Sequence, residues 1–311
     1  MTGAADAPVT LGVARTTVLS ALRHIPALTA ATVRNVRRLG GMTNATWLVE
    51  LDGRRVVVRL PSEIDDPVID RDVELANMRA AAAAGLAPPI VHADPGGLLV
   101  TPYVEGDVLD GATSSAGATI ARVGRLLARL HRTDVHRFRG RFAAGRVLAR
   151  YRDRLAANGA GLAADELALV RRAQRASDVL ERSARATPCH HDPWPSNLID
   201  TGDRLLLVDW EYSAVGDPLW DLAHFAVEAD LGPDDTNRLL RAWVGGPPPP
   251  VLRDRLALWR PVTDVVWALW ARVQHRGGNT TVDLRAYAAR RLRRAVRGLD
   301  DDLTDRLRRT A

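Results

Sequence analysis

"CHHDPWPSNLID", residues 189–200, and the nearby "LLLVDWEYSAVGDPLWDLAHF", residues 205–225, decide how this chain is read. His190, Asp192 and Asn197 fall within eight residues, and Asp209 follows the next apolar run. The runs at 198–200 and 204–208 flank a "TGD" turn and read as two short strands. Asp and Asn favour turns, so punctuation is one account of these polar groups. The other is that they hold something charged.

Outward from that stretch the chain is helical. Apolar periodicity predicts helices near 115–133, 147–158, 163–184, 218–229, 234–243, 250–275 and 281–308. Toward the N-terminus the texture changes. After a helical segment at 12–26, residues 32–60 read as strand, Gly-containing turn, strand, "LDGRR" hairpin and strand. A helix near 68–85, ended by Gly85 and Pro88, leads to short strands at 89–93 and 97–103. "GGPPPP" at 245–250 is a stiff connector, too short to join domains. The pattern implies a β-rich part over 1–104 and a helical part over 105–311, with a hinge near "YVEGD" and a ligand in the cleft between.

Composition narrows the function. At 311 residues and 46% apolar content the chain suits one large or two small folded domains. No apolar run approaches the ~20 residues that span a bilayer. The N-terminus lacks a basic start followed by an apolar core, so a cytoplasmic protein without membrane attachment is expected. A single cysteine, Cys189, excludes internal disulfides and cysteine-based zinc sites, and is expected in the core. All 43 basic side chains are Arg, and the net charge is +6. The sign suits an anionic ligand such as a nucleotide. The arginines are scattered among acids, and the densest cluster, residues 290–309, reads as a solvated helix face, so no nucleic-acid partner is expected.

The spacing H-x-D-x-x-x-x-N, a strand pair and then Asp matches the template for phosphoryl transfer to a hydroxyl. Asp192 would orient the acceptor hydroxyl and take its proton. Asn197 offers a neutral oxygen and Asp209 a charged one to Mg²⁺, a hard cation that prefers oxygen. His190 is expected to orient the loop, Asp217 and Asp221 to cap a helix and brace it, and His131 to pack at a helix end.

These motifs resemble those of the choline/ethanolamine kinase family, within the aminoglycoside phosphotransferase superfamily. "HHDPWPSNLI" is similar to its catalytic loop, "LLLVDWEYSAVGDPLWDLA" to its metal segment, and "GGMTNATWLVE" to its nucleotide loop. "WALWARVQ" and "YAARR" are similar to its C-terminal substrate helices, and the resemblance spans roughly residues 35–295. It implies an α+β, bilobal, protein-kinase-like fold with a small β-rich N-lobe and a larger helical C-lobe, using ATP and Mg²⁺. It places the nucleotide on Gly40, Gly41, Thr43 and Asn44, with Arg59 where protein kinases carry Lys, and with Glu74 as the partner of Arg59. Pro102, Tyr103 and Val104 would receive adenine through backbone groups.

The resemblance also implies an acceptor. Glu211, Trp267, Trp270 and Tyr287 match the box around a quaternary ammonium, which aromatic faces attract. By periodicity alone, Trp267 and Trp270 would simply pack in a core. The short "EYSAVGDPLWD" departs from eukaryotic choline kinases and resembles bacterial relatives with more varied substrates. The expected substrate is a small cationic alcohol, choline or a related amino alcohol. Alternatives are an antibiotic-modifying phosphotransferase, disfavoured by the Arg- and Ala-rich 140–185 region, and a non-catalytic nucleotide-binding protein, disfavoured by intact Asp192, Asn197 and Asp209.

Overall fold

The "LDGRR" turn joins two strands whose register follows from their apolar alternation. In the computed structural model, which describes residues 8–29 and 31–299, β2 (Ala45–Leu51) pairs antiparallel with β3 (Arg54–Leu60), Val49 facing Val56. β1 (Val33–Gly40) pairs with β2, while β5 (Leu99–Pro102) joins β3 and the two-residue β4 (His92–Ala93) joins β5. The five-stranded sheet has the order β1-β2-β3-β5-β4. Trp47, Val49, Val56, Val58 and Val100 form its buried core with Val18, Leu22 and Ile25, the first two on helix α1 (Pro8–Arg23). Each such side chain contributes about 1.5–3 kcal/mol when removed from water.

The chain divides into two compact units: residues up to Glu63 with Pro88–Val104, and Ile64–Ala87 with Glu105 onward. The sequence reading put 64–87 with the sheet. In the structure, α2 (Arg71–Ala83) belongs to the second unit, because buried Asn77 donates to Ser213 O and Arg139 O and accepts from Arg139 N. A hydrogen-bonded buried amide is costly to pull away.

In the second unit, β6 (Asp107–Val108) and α3 (Gly111–Ser114) precede α4 (Gly117–His131), α5 (Ala144–Ala157) and α6 (Ala164–Arg182). Then come β7 (Thr187–Cys189), a 3-10 turn at Pro195–Asn197, β8 (Leu198–Asp200), β9 (Leu205–Leu207) and β10 (Ala214–Gly216). The expected hairpin is β8–β9, extended by β6, and a second ladder pairs β7 with β10. Helices α7 (Pro218–Glu228), α8 (Pro233–Val244), α9 (Pro250–Arg276) and α10 (Leu284–Gly298) complete the unit. The helix expected over 281–308 thus matches α10 as far as Gly298, and residues 300–311 lie outside the described residues.

Helix α9 is apolar on most faces, the mark of a helix inside a core. It packs against α5, α6, α7 and α10, burying Trp259, Val262, Val265, Trp267 and Trp270. The α+β class and the helical second unit agree with the sequence reading. The ladder β7–β10 escaped it because Thr187–Cys189 and Ala214–Gly216 pair across the intervening loop and hairpin, with no local turn to mark the pairing.

Candidate active site

The catalytic-loop motif leaves β7 at Cys189 and is fixed from behind by one carboxylate. Asp221, on α7, accepts from His190 N at 2.9 Å and His191 N at 2.8 Å. His131 Nε2 donates to the same carboxylate at 3.0 Å, and Trp243 Nε1 donates to His131 Nδ1 at 2.8 Å, which sets the imidazole tautomer. Burial opposes charge on Asp221, but these bonds outweigh it and hold its pKa at about 2. Asp217 caps α7 through Leu219 N and accepts from Arg255 and Trp259 Nε1. His131, Cys189 and Asp221 lie close enough together to suggest a metal cluster. The imidazole and carboxylate are already committed to this brace, and burial raises the Cys189 thiol pKa well above its ordinary value.

So anchored, the loop turns sharply. His191 has φ 64° and Asp209 φ 62°, left-handed conformations that non-glycine residues adopt at a cost of order 1–3 kcal/mol. Asp192 is held by both oxygens: Oδ1 meets His224 Nε2 at 3.0 Å and Oδ2 accepts from Asn197 Nδ2 at 3.1 Å. Asn197 Nδ2 also donates to Asp192 O, which leaves Oδ1 as the atom Asn197 can present to a cation. Val208 N donates to Asn197 O, so the strand pair fixes the spacing from Asn197 to the half-buried Asp209. Burial pushes the Asp192 pKa up to about 7 and holds that of His224 well below its usual range. His224 is therefore a neutral donor to Asp192.

Beside this loop the aromatic residues close a circuit. Trp194 stacks on Tyr287 with centroids 6.0 Å apart; Tyr287 meets Trp270 at 6.2 Å, Trp270 meets Trp267 at 5.6 Å, and Trp267 meets His224 at 5.1 Å. Catalytic loop, α10, α9 and α7 thereby surround one locus and return to Asp192. Trp267 Nε1, Trp270 Nε1 and Tyr287 OH are buried without a protein hydrogen-bond partner. Arg291 lies 4.5 Å and Arg290 5.8 Å from the Tyr287 ring centroid, so two cations of the protein's own already face that ring.

Glu211 is buried, and its carboxylate accepts from Arg71 at 3.2 Å; Arg71 also donates to Glu74 at 2.7 Å. The sequence reading gave Glu74 to Arg59 and Glu211 to a cation. Within the second unit, both carboxylates converge on Arg71, which it did not single out.

The first unit holds the other motif residues. Gly40 and Gly41 have φ of 119° and 117°, and a Cβ on Gly41 would sit 2.0 Å from Asn44 O. Only glycine allows that approach. Asn44 is buried and its Oδ1 accepts from Ser62 N, tying the loop to the end of β3. Arg59 is buried on β3, opposite Thr46. Tyr103 N donates to Arg55 O, and Pro102 has no N–H, so Val104 carries the remaining amide of the expected adenine segment.

A model of the phosphotransferase enzyme family matches residues 35–259. A choline/ethanolamine kinase family protein from Mesorhizobium loti is 31% identical, covers 95% of this chain and 98% of its own, and superposes with a TM-score of 0.81. The chain belongs to the phosphotransferase enzyme family. Protein LicA of Haemophilus influenzae is 29% identical over 275 residues, 84% of this chain and 99% of its own. The choline kinase LicA from Streptococcus pneumoniae, 23% identical over 92% of this chain and 99% of its own, shares the fold with a TM-score of 0.76.

Within this phosphotransferase, the residues that sequence reasoning missed are His224, Trp194, Arg71 and Asp66. Asp66 is buried and accepts from Tyr212 OH at 2.8 Å and Tyr151 OH at 3.3 Å, and burial raises its pKa. Tyr212 in turn meets Trp267 edge-on at 5.1 Å. A signal existed for two of them. His224 lies three residues beyond Asp221 on α7, hence on the same face, and Trp194 is clamped between Pro193 and Pro195.

Proposed function

We propose that this kinase transfers the γ-phosphoryl group of ATP to the hydroxyl of choline or a closely related amino alcohol. The observation that carries the reading is the aromatic circuit of Trp194, Tyr287, Trp270 and Trp267, joined through His224 to Asp192. A cation held against aromatic faces would place its alcohol arm beside a carboxylate fixed at both oxygens. Glu211, with Asp66 behind Tyr212, supplies negative charge near the same rings.

In this mechanism Asp192 orients the hydroxyl and accepts its proton as the oxygen bonds to phosphorus. The bond from phosphorus to the β–γ bridging oxygen breaks, and ADP leaves with that oxygen. A carboxyl whose pKa lies at about 7 is suited to take a proton near neutrality. Asn197 Oδ1 and the Asp209 carboxylate form a hard-oxygen set that fits Mg²⁺, which when bound would neutralise phosphate charge. Gly40, Gly41, Thr43 and Asn44 would receive phosphates on closely approaching backbone, Arg59 would donate to them as a fork, and Val104 N–H would meet adenine. Nucleotide binding thus falls to the unit that ends at Glu63 and resumes over Pro88–Val104, and catalysis and acceptor binding to the unit of Ile64–Ala87 and Glu105 onward. The natural compartment is the cytoplasm, where ATP is supplied; no described helix is long and apolar enough to cross a membrane.

The test is calorimetric binding and ADP release with choline and with its neutral isostere, in which carbon replaces nitrogen. A desolvated cation–aromatic contact is worth up to ~2 kcal/mol, roughly 30-fold. Trp267→Ala should weaken choline binding by up to that factor and leave ATP binding alone. Asp192→Ala should keep choline binding and lose at least ~10²-fold in kcat. Equal affinity of the parent for both ligands would return the tryptophans to a core role. Unchanged turnover of Asp192→Ala would remove the proton acceptor.

A further inference from the structure

A groove of about 770 Å³ is lined by residues 141–149 and 171–182, on and beside α5 and α6. It shares no residue with the catalytic loop, the aromatic circuit or the Asp221 brace. Five of its eleven lining residues are Arg: Arg141, Arg146, Arg171, Arg175 and Arg182. The whole chain has 43 basic residues in 311, so the enrichment exceeds its general Arg bias.

What separates the groove from an ordinary solvated face is that five arginines line one concavity with their side chains uncommitted. Elsewhere in this unit Arg71, Arg122, Arg154, Arg255, Arg272 and Arg294 each meet a carboxylate. Among the described residues, none of the five groove arginines forms a side-chain hydrogen bond or ion pair. The two acids of the lining do little to compensate. Asp178 is exposed, and Glu181 accepts from Ala144 N at 2.7 Å. Burial raises the Glu181 pKa to about 7, reinforced by Asp178 and Asp217 and opposed by Arg141, so Glu181 carries only part of its charge at neutral pH.

We propose that this groove is a second ligand site, for a small polyanion bearing two or more phosphate groups. The volume is that of a small-molecule pocket, and planar guanidinium forks match phosphate oxygens two at a time. Arginines on α5, on α6 and on the segment before α5 can grip adjacent phosphates together, which a single exposed Arg cannot.

The probe is inorganic tripolyphosphate, titrated calorimetrically at 150 mM salt, where isolated surface charges are largely screened. The parent should bind it at this groove. Arg171→Ser with Arg175→Ser should weaken binding at least tenfold, as should the second pair, Arg146→Ser with Arg182→Ser, so that one poorly folding variant does not decide the matter. Arg59→Ala, in the other unit, should leave binding at this groove within twofold. Binding by both groove variants within twofold of the parent would overturn the proposal. So would binding seen at 20 mM salt and lost at 150 mM, which marks a diffuse patch. Sedimentation showing a parent dimer that the groove variants dissolve would assign the groove to a second copy of the chain instead.

Discussion

Replacing His224 tests whether Asp192 depends on being held. The imidazole is fully buried and neutral, and its Nε2 lies 3.0 Å from Asp192 Oδ1, while Asn197 secures the other oxygen. Its Nδ1 has no partner, so one hydrogen bond is the whole polar role of this side chain. His224→Phe removes the donor and keeps an aromatic ring against Trp267, now 5.1 Å away. A hydrogen bond to a charged group is worth about 1.5–3 kcal/mol. If the freed carboxylate loses that much orientation in the transition state, kcat falls by roughly 10–150-fold. The KM for ATP should stay the same, because His224 touches none of the proposed nucleotide residues. His224→Gln carries an amide Nε2 that can donate in place of the imidazole, and should recover to within about fivefold of the parent on the same energetic scale. The assay is steady-state ADP release over a range of choline and ATP concentrations, with circular dichroism to confirm folding. A Phe variant within threefold of the parent refutes the positioning role. A Gln variant as poor as Phe shows that packing against Trp267, and not the hydrogen bond, is what matters.

Two further outcomes follow from local geometry. Gly41→Ala places a Cβ 2.0 Å from Asn44 O at φ 117°, so the loop must open; the KM for ATP should rise about tenfold or more while choline affinity holds, and an unchanged KM would show that the loop does not touch phosphate. Glu181 has a folded-state pKa of about 7 against 4.5, so the folded chain holds this proton more tightly than the unfolded chain does. Its stabilising contribution is complete below pH 4.5 and is lost as pH rises through 7. Glu181→Gln should therefore melt with the parent at pH 4.5 and be more stable at pH 8, by no more than about 2 kcal/mol after allowance for partial exposure. A difference between the two melting temperatures that stays constant across that range would sink the argument.

Much of this was legible because the decisive motif is contiguous. His190, Asp192, Asn197 and Asp209 lie on one loop and one hairpin, so their spacing alone brings them together, and long amphipathic helices such as α4 declare themselves by period. What was not legible depends on pairs far apart in sequence. Arg71 and Glu211 are 140 residues apart, and nothing in either local pattern says that they meet. The assignment of 64–87 to the second unit rests on the same kind of contact, through Asn77 to Ser213 at a separation of 136. Periodicity reports which face of an element is apolar. It does not report which element that face will find.

Helix α7 marks where the two kinds of information join. Asp217, Asp221 and His224 recur at spacings of four and three, so they lie along one face of the helix. Asp217 ties that face to Arg255 and Trp259 on α9, Asp221 to the backbone of His190 and His191, and His224 to the side chain of Asp192. The rise between Asp221 and His224 is about 4.5 Å, and the loop residues they hold are one and two positions apart, the reach of an extended backbone. A helix shifted by one residue would carry both groups about 100° around the axis and release the loop. The register of α7 against α9, set by the buried Arg255–Asp217 pair, is therefore what determines where the Asp192 carboxylate stands. The same helix face could have been read from the sequence, since "DPLWDLAH" already carries the spacing; only its target required the fold.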